Sequence, residues 1–152
     1  MSEDESSATI IENETGAQRL LGYVLDVGQE DKRARCVLVL TEAHLNRHNT
    51  LHGGITTAVL DNAMGATASL SVDPTGRAPF MTISLNTQFL APSRLGETLS
   101  AVGRIVGGGK SIKFMEGELT NSDGKIIATA TGVFKRVPAS RLVSTSNNTS
   151  KE

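Results

Sequence analysis

The sequence has no tryptophan, one tyrosine (Tyr23) and one cysteine (Cys36) among its 152 residues. So few aromatics leave little to stack on bases. A formal net charge of −1 gives no general attraction to nucleic acid or to a membrane surface. A lone thiol makes no intrachain disulfide and no cysteine-based metal site, which fits a reducing compartment. No apolar run is long enough to span a bilayer, so no stable membrane insertion is expected. Met1-Ser2-Glu3-Asp4-Glu5 lacks the basic and apolar segments of a secretory leader and the Arg-rich pattern of a transit peptide. Ser150-Lys151-Glu152 is not a peroxisomal address. A cytoplasmic protein is the expectation.

What remains suits one domain. Hydrophobic residues make up 38% of the chain and gather in its middle. Residues 1–16 are polar and acidic, and residues 139–152 are rich in Ser, Thr and Asn; both are expected to be flexible tails around a domain at 17–138. Strand patterns are read at 21–29 and 33–40, then a polar stretch, then an Ala/Leu/Met/Val-rich run over 55–70. That run has no proline and one charge, Asp61, and predicts a buried helix. Strand patterns resume at 80–90, where Met81, Ile83, Leu85, Thr87 and Phe89 alternate, and continue at 97–106, 111–119 and 125–137. The short turns Gly107-Gly108-Gly109 and Asn121-Ser122-Asp123-Gly124 make neighbouring strands antiparallel. The fold class is α+β: one long buried helix against an antiparallel sheet of about five or six strands.

The chemistry gathers around that helix. A carboxylate inside a buried helix is costly unless paired, so Asp61 is either a satisfied structural residue, bonded to backbone or to Asn62, or a functional one. His52-Gly53-Gly54 opens the helix, where backbone N–H groups lack intrahelical partners and carry the positive end of the dipole. Glycine lets a ligand approach such donors, which suits a developing oxyanion. Gly53 and Asp61 stand eight positions apart, about 12 Å along a helix. One carboxylate cannot serve a carbonyl held at the far end of its own helix. If both act on one substrate, Asp61 comes from a second copy related by a two-fold axis.

Asn46, Thr50-Leu51-His52-Gly53-Gly54 and Asp61-Asn62, followed by Phe89-Leu90-Ala91-Pro92-Ser93-Arg94-Leu95-Gly96-Glu97 and Gly109-Lys110-Ser111, resemble the hotdog-fold thioesterases of the PaaI-like group, which include animal acyl-CoA thioesterases. The resemblance covers about 20–137. It implies a hotdog fold and hydrolysis of acyl-CoA by direct attack of water, with CoA part of the substrate and no separate cofactor. It implies that the Gly53 N–H and the Asn46 side chain hold the thioester oxygen. Asp61 of a partner chain would serve as general base or orient the attacking water, and Thr82 stands where animal members carry a serine that positions the water. His52 is expected to support the Gly53 turn or Asn46 rather than to act as the base, or else to be a satisfied structural residue. Phe89, Arg94, Gly109, Lys110, Ser111 and Arg136 are the candidates for the CoA side, and the buried helix with 80–89, including Leu60 and Met64, for the acyl pocket. A homodimer at least is implied, and such dimers often pair into tetramers.

Other patterns are set aside. Gly109-Lys110-Ser111 resembles the end of a phosphate-binding loop, but the required upstream glycine is Arg104 and a strand follows. His44, His48 and His52 lack a zinc-binding carboxylate–histidine motif, so no metal is expected. No G-x-S-x-G elbow supplies a nucleophile, and Cys36 sits in an apolar strand as a core residue. Two alternatives stay open: another hotdog acyl-thioester reaction such as enoyl-thioester hydration, and a non-catalytic acyl-CoA or small-ligand binder. Asp61 discriminates against the binder, which has no use for a lone charge in a buried helix.

Overall fold

The computed structural model describes residues 9–142. The chain runs through β1 (Ile10–Ile11), α1 (Gly16–Leu21), β2 (Val24–Asp26), β3 (Arg35–Val39), a turn of 3-10 helix (Glu42–His44), α2 (Gly53–Leu70), β4 (Phe80–Phe89), β5 (Thr98–Gly108), β6 (Ile112–Asn121) and β7 (Ile126–Arg136). The strands form one sheet in the order β1-β2-β3-β5-β6-β7-β4, with every neighbour antiparallel. The long helix α2 lies on one face, and this is the hotdog architecture. Among the described residues no helix is long and apolar enough to cross a membrane.

Two expectations are corrected at the N-terminal side. Ile10–Ile11 pairs with β2 and Ile11 is buried, so part of the stretch expected to be a loose tail belongs to the sheet. Residue 21 ends a helix rather than starting a strand. Thr15 caps α1 by accepting from the Gln18 N–H, and Gly22 closes it in the left-handed conformation. The outermost parts of both expected tails lie outside the described residues.

The core sits between α2 and the sheet, where Leu38, Leu40, Leu60, Met64, Leu99, Met115, Leu119 and Phe134 are almost wholly buried. Close approach of helix and sheet depends on Gly103 of β5, where a Cβ would lie 2.6 Å from the Ala63 carbonyl oxygen. Leu60 and Met64 press against the sheet at Gly117 and belong to this core, not to an open acyl pocket as expected.

β4 is an edge strand with one side paired, to β7. Thr82 stands opposite Phe134, Leu85 opposite Gly132, Thr87 opposite Ala130 and Phe89 opposite Ala128, and the register slips between Thr82 and Ser84. A regular strand would turn Thr82 and Thr87 to opposite faces, because side chains alternate. The extra residue, Ile83, restores parity, so both face α2. Plain alternation across 80–90 therefore misplaces the first half of the strand: Met81 and Ile83 are 55% and 54% exposed.

Candidate functional site

The sequence candidates fall into three groups. The first is built around the start of α2. His52 is its N-cap, and the ring Nδ1 accepts the Gly54 N–H at 2.9 Å. The His52 carbonyl takes the N–H groups of Ile55 and Thr56. The Gly53 N–H is thus left without a partner among the described residues. Asn46 stands beside it. Its Oδ1 accepts from the backbone N–H groups of His48 (2.9 Å) and Thr50 (3.2 Å) and from the Thr50 hydroxyl (3.2 Å). Only the oxygen can accept from an N–H, so the amide is held with its NH₂ free to donate elsewhere. Asn46 and Gly53 line one cavity of about 410 Å³ with Thr56, Phe89, Leu90 and Ser93. The Phe89 ring covers Gly53 so closely that a Cβ there would meet it at 3.3 Å.

The second group is an acid and a hydroxyl. The Thr82 hydroxyl donates to Asp61 Oδ1 at 2.7 Å. Asp61 is half-buried, not enclosed, and its partner is this threonine rather than Asn62. The Asn62 side chain instead accepts from the Tyr23 hydroxyl at 3.0 Å and donates to the Ala58 carbonyl at 2.8 Å. Burial, the largest influence on Tyr23, pushes its pKa up. The hydroxyl therefore remains a neutral donor that pins the middle of α2 to the residue preceding β2.

The third group lies at the other end of β4. Lys110, Ser111 and Arg136 line a cavity of about 470 Å³ with Pro79, Val137 and Pro138. The Ser111 carbonyl accepts the Arg136 N–H at 2.7 Å, which ties the hairpin to the end of β7. Gly109 donates to Ile112 and closes that hairpin. Phe89 and Arg94 do not join this cluster. Phe89 sits over Gly53, and Arg94 lines a separate hollow with Glu42, Asn46 and Asn49.

Residues outside the three groups also take definite roles. His44 is buried, with Nδ1 accepting from the Thr41 N–H at 2.9 Å and Nε2 donating to the Leu21 carbonyl at 2.6 Å. Both ring nitrogens are therefore committed to the protein. Burial pushes the Cys36 thiol far up, so it stays protonated and inert as a nucleophile. Sequence reading missed Thr50 and Ser93. Thr50 stood inside the quoted motif, where a hydroxyl two residues before the cap histidine was available as a signal. Ser93 also stood inside a quoted segment, but its burial is set by contacts distant in sequence, such as the Leu51 N–H on its carbonyl.

Known proteins share this framework. The sequence profile of the thioesterase superfamily matches residues 48–128. Human acyl-coenzyme A thioesterase 13 is 32% identical over 112 residues, covering 73% of this chain and 78% of that protein. A putative esterase of Caenorhabditis elegans is 26% identical over 136 residues, covering 89% of this chain and 79% of its own. Among solved structures, a Bacillus halodurans protein crystallised with CoA aligns with TM-score 0.73 and 29% identity, covering 85% of this chain and 83% of that one. The Escherichia coli PaaI protein shares the fold, with TM-score 0.70, 23% identity and coverage of 82% and 86%. With a helix-start N–H that has no partner among the described residues beside an oriented amide, and an acid on the same helix locked by a hydroxyl from β4, this chain belongs to the thioesterase superfamily and is a thioester hydrolase with the hotdog fold.

Proposed function

We propose that the protein hydrolyses acyl-CoA to free acid and CoA at a site formed between two copies of the chain. The observation that carries this reading is the split along α2. Donors for an oxyanion stand at its start, and Asp61 with Thr82 stands about 12 Å further on, toward the opposite end of β4. β4 is an open sheet edge, and Met81, Ile83, Phe89 and Leu90 on or next to it are exposed apolar side chains. Exposed edges of this kind invite pairing. Two such edges meeting antiparallel about a two-fold axis bring the Thr82 end of one β4 beside the Phe89 end of the other. Asp61 of one copy then faces Asn46 and Gly53 of the next.

In that arrangement the Gly53 N–H and the Asn46 NH₂ hold the thioester oxygen. Asp61, fixed through Oδ1 by Thr82, takes a proton from water with its other oxygen. The hydroxide forms the C–O bond at the carbonyl carbon, and the two donors stabilise the oxyanion. Collapse breaks the C–S bond, and the proton held by Asp61 passes to the departing CoA sulfur. Lys110 and Arg136 supply positive charge for the CoA phosphates, with Ser111 as a neutral donor. Phe80 pairs with Arg136, so this basic cavity lies at the end of β4 that adjoins the partner's Gly53. Arg94 stands nearer Asn46 and would meet CoA from the other side. His52 acts only through the helix cap. Pairing of dimers into tetramers is the further assembly that the family likeness suggests.

Thiol release from a panel of acyl-CoAs, with wild type and Asp61→Asn side by side, tests the reading. Turnover by wild type that is lost in Asp61→Asn is expected. A well-folded oligomer that releases no thiol from any CoA ester would leave the binder reading in its place.

A further inference from the structure

One buried histidine has no part in the mechanism above. His44 is 4% exposed and stands two residues before Asn46. Its backbone belongs to a small hairpin that joins the two donors proposed for the oxyanion. The His44 carbonyl accepts the His52 N–H at 2.9 Å, and the Thr50 carbonyl accepts the Asn46 N–H at 2.7 Å. Leu45 and Leu51 are bridged antiparallel between those two bonds. Asn49, in the left-handed region at φ 60°, turns the chain between the legs. Asn46 ends the first leg, residues 44–46, and Gly53 follows the second, residues 50–52.

The two legs are anchored differently. The second runs directly into α2, and its Leu51 N–H is held by the Ser93 carbonyl at 2.8 Å. The first follows a single turn of 3-10 helix whose backbone bonds, His44 N–H to the Thr41 carbonyl and Leu45 N–H to the Glu42 carbonyl, are local. One such turn holds itself poorly. The His44 ring ties this leg to the body of the protein. Its Nδ1 accepts the Thr41 N–H at 2.9 Å, and its Nε2 donates at 2.6 Å to the carbonyl of Leu21, the last residue of α1. Accepting at one nitrogen and donating at the other requires the neutral ring. An alkyl side chain would fill the space and hold neither group.

We propose that His44 is a positioning residue for the thioester oxygen: its neutral ring fixes the hairpin leg that carries Asn46, so that the Asn46 NH₂ and the Gly53 N–H converge on one atom. This rests on the thioesterase reading above, in which those two donors bind that oxygen. Gly53 is fixed by α2 and by the Ser93 contact, so loss of the ring displaces Asn46 and leaves Gly53 in place. The effect of His44 on turnover therefore passes through Asn46. A side chain that only filled the core would act whether Asn46 were present or not.

Steady-state thiol release from one acyl-CoA by wild type, His44→Ala, Asn46→Ala and the double variant tests this. His44→Ala should lower kcat at least about tenfold with KM within about twofold, because displacing a reacting group by about 1 Å costs up to about a hundredfold. In the Asn46→Ala background the same substitution should lower kcat by less than about twofold. Hydrogen exchange read by mass spectrometry needs no turnover: peptides over 41–52 should exchange faster in His44→Ala, and peptides within α2 should not. Should His44→Ala fail to fold, His44→Leu, which fills the space and bonds neither group, takes its place in both measurements. With the thioesterase reading intact, the proposal is overturned if kcat is unchanged, if its loss is as large without Asn46 as with it, if KM alone rises, or if exchange over 41–52 is unaltered. The thioesterase reading fails on a different result, no thiol released by wild type from any CoA ester, and the role of His44 falls with it.

Discussion

Thr82 illustrates how much chemistry one side chain carries here. Its hydroxyl is bonded to Asp61 at 2.7 Å, fixing one carboxylate oxygen, and in the proposed mechanism the other takes the proton from water. Thr82→Val keeps the branched shape and removes the bond. It should lower kcat about tenfold with little change in KM, whereas Thr82→Ser should stay near wild type; steady-state kinetics on one CoA ester checks both. In the proposed mechanism Asn46→Ala removes an oxyanion donor, so it should cost about a hundredfold or more in kcat. His52 acts through the cap, so His52→Ala should destabilise the fold by about 1 kcal/mol in denaturant titration, and His52→Asn, a good capping residue, should restore most of it.

At the scale of elements, the bulge in β4 matters most. Ile83 adds the residue that lets Thr82 and Thr87 face the same helix. Deleting Ile83 should turn Thr82 away from Asp61 while Thr87 keeps its 3.2 Å bond to Thr57. Turnover should fall as far as in Thr82→Val, with the far-ultraviolet circular dichroism unchanged. Helix α2, the hairpins β5–β6 and β6–β7, and the long strand β4 were legible from the sequence through periodicity and turn residues. The short β1 was not, because two apolar residues in an acidic stretch give no period to read. The bulge was hidden for a related reason: alternation in 80–90 looks unbroken, and only the pairing with β7 reveals the slip. Asn46, Gly53 and Asp61 were legible as a spaced motif. The Thr82–Asp61 bond needed the resemblance to suggest it and the fold to supply it, since the two lie on different elements.

At the scale of the whole molecule, the proposed site needs two copies of the chain. The core is conventional, and its one thiol reports on it: burial holds the Cys36 thiol protonated, so native protein should resist alkylation through mildly alkaline pH and react fully once unfolded. Mass spectrometry after a timed pulse of iodoacetamide reads this. The edge of β4 is the unusual feature, an open strand bearing apolar side chains at the place where both halves of the site end. Met81→Lys/Ile83→Lys should weaken self-association in analytical ultracentrifugation and lose turnover along with it.

The most direct test of a shared site is complementation. Asn46→Ala and Asp61→Asn, each nearly inactive alone, are unfolded together, refolded as an equal mixture and assayed for thiol release. Random pairing makes half of the dimers mixed, and each mixed dimer holds one site with both Asn46 and Asp61 intact, so about a quarter of wild-type activity should return. A mixture that folds, exchanges subunits and stays as inactive as its parents would contradict a site built from two chains.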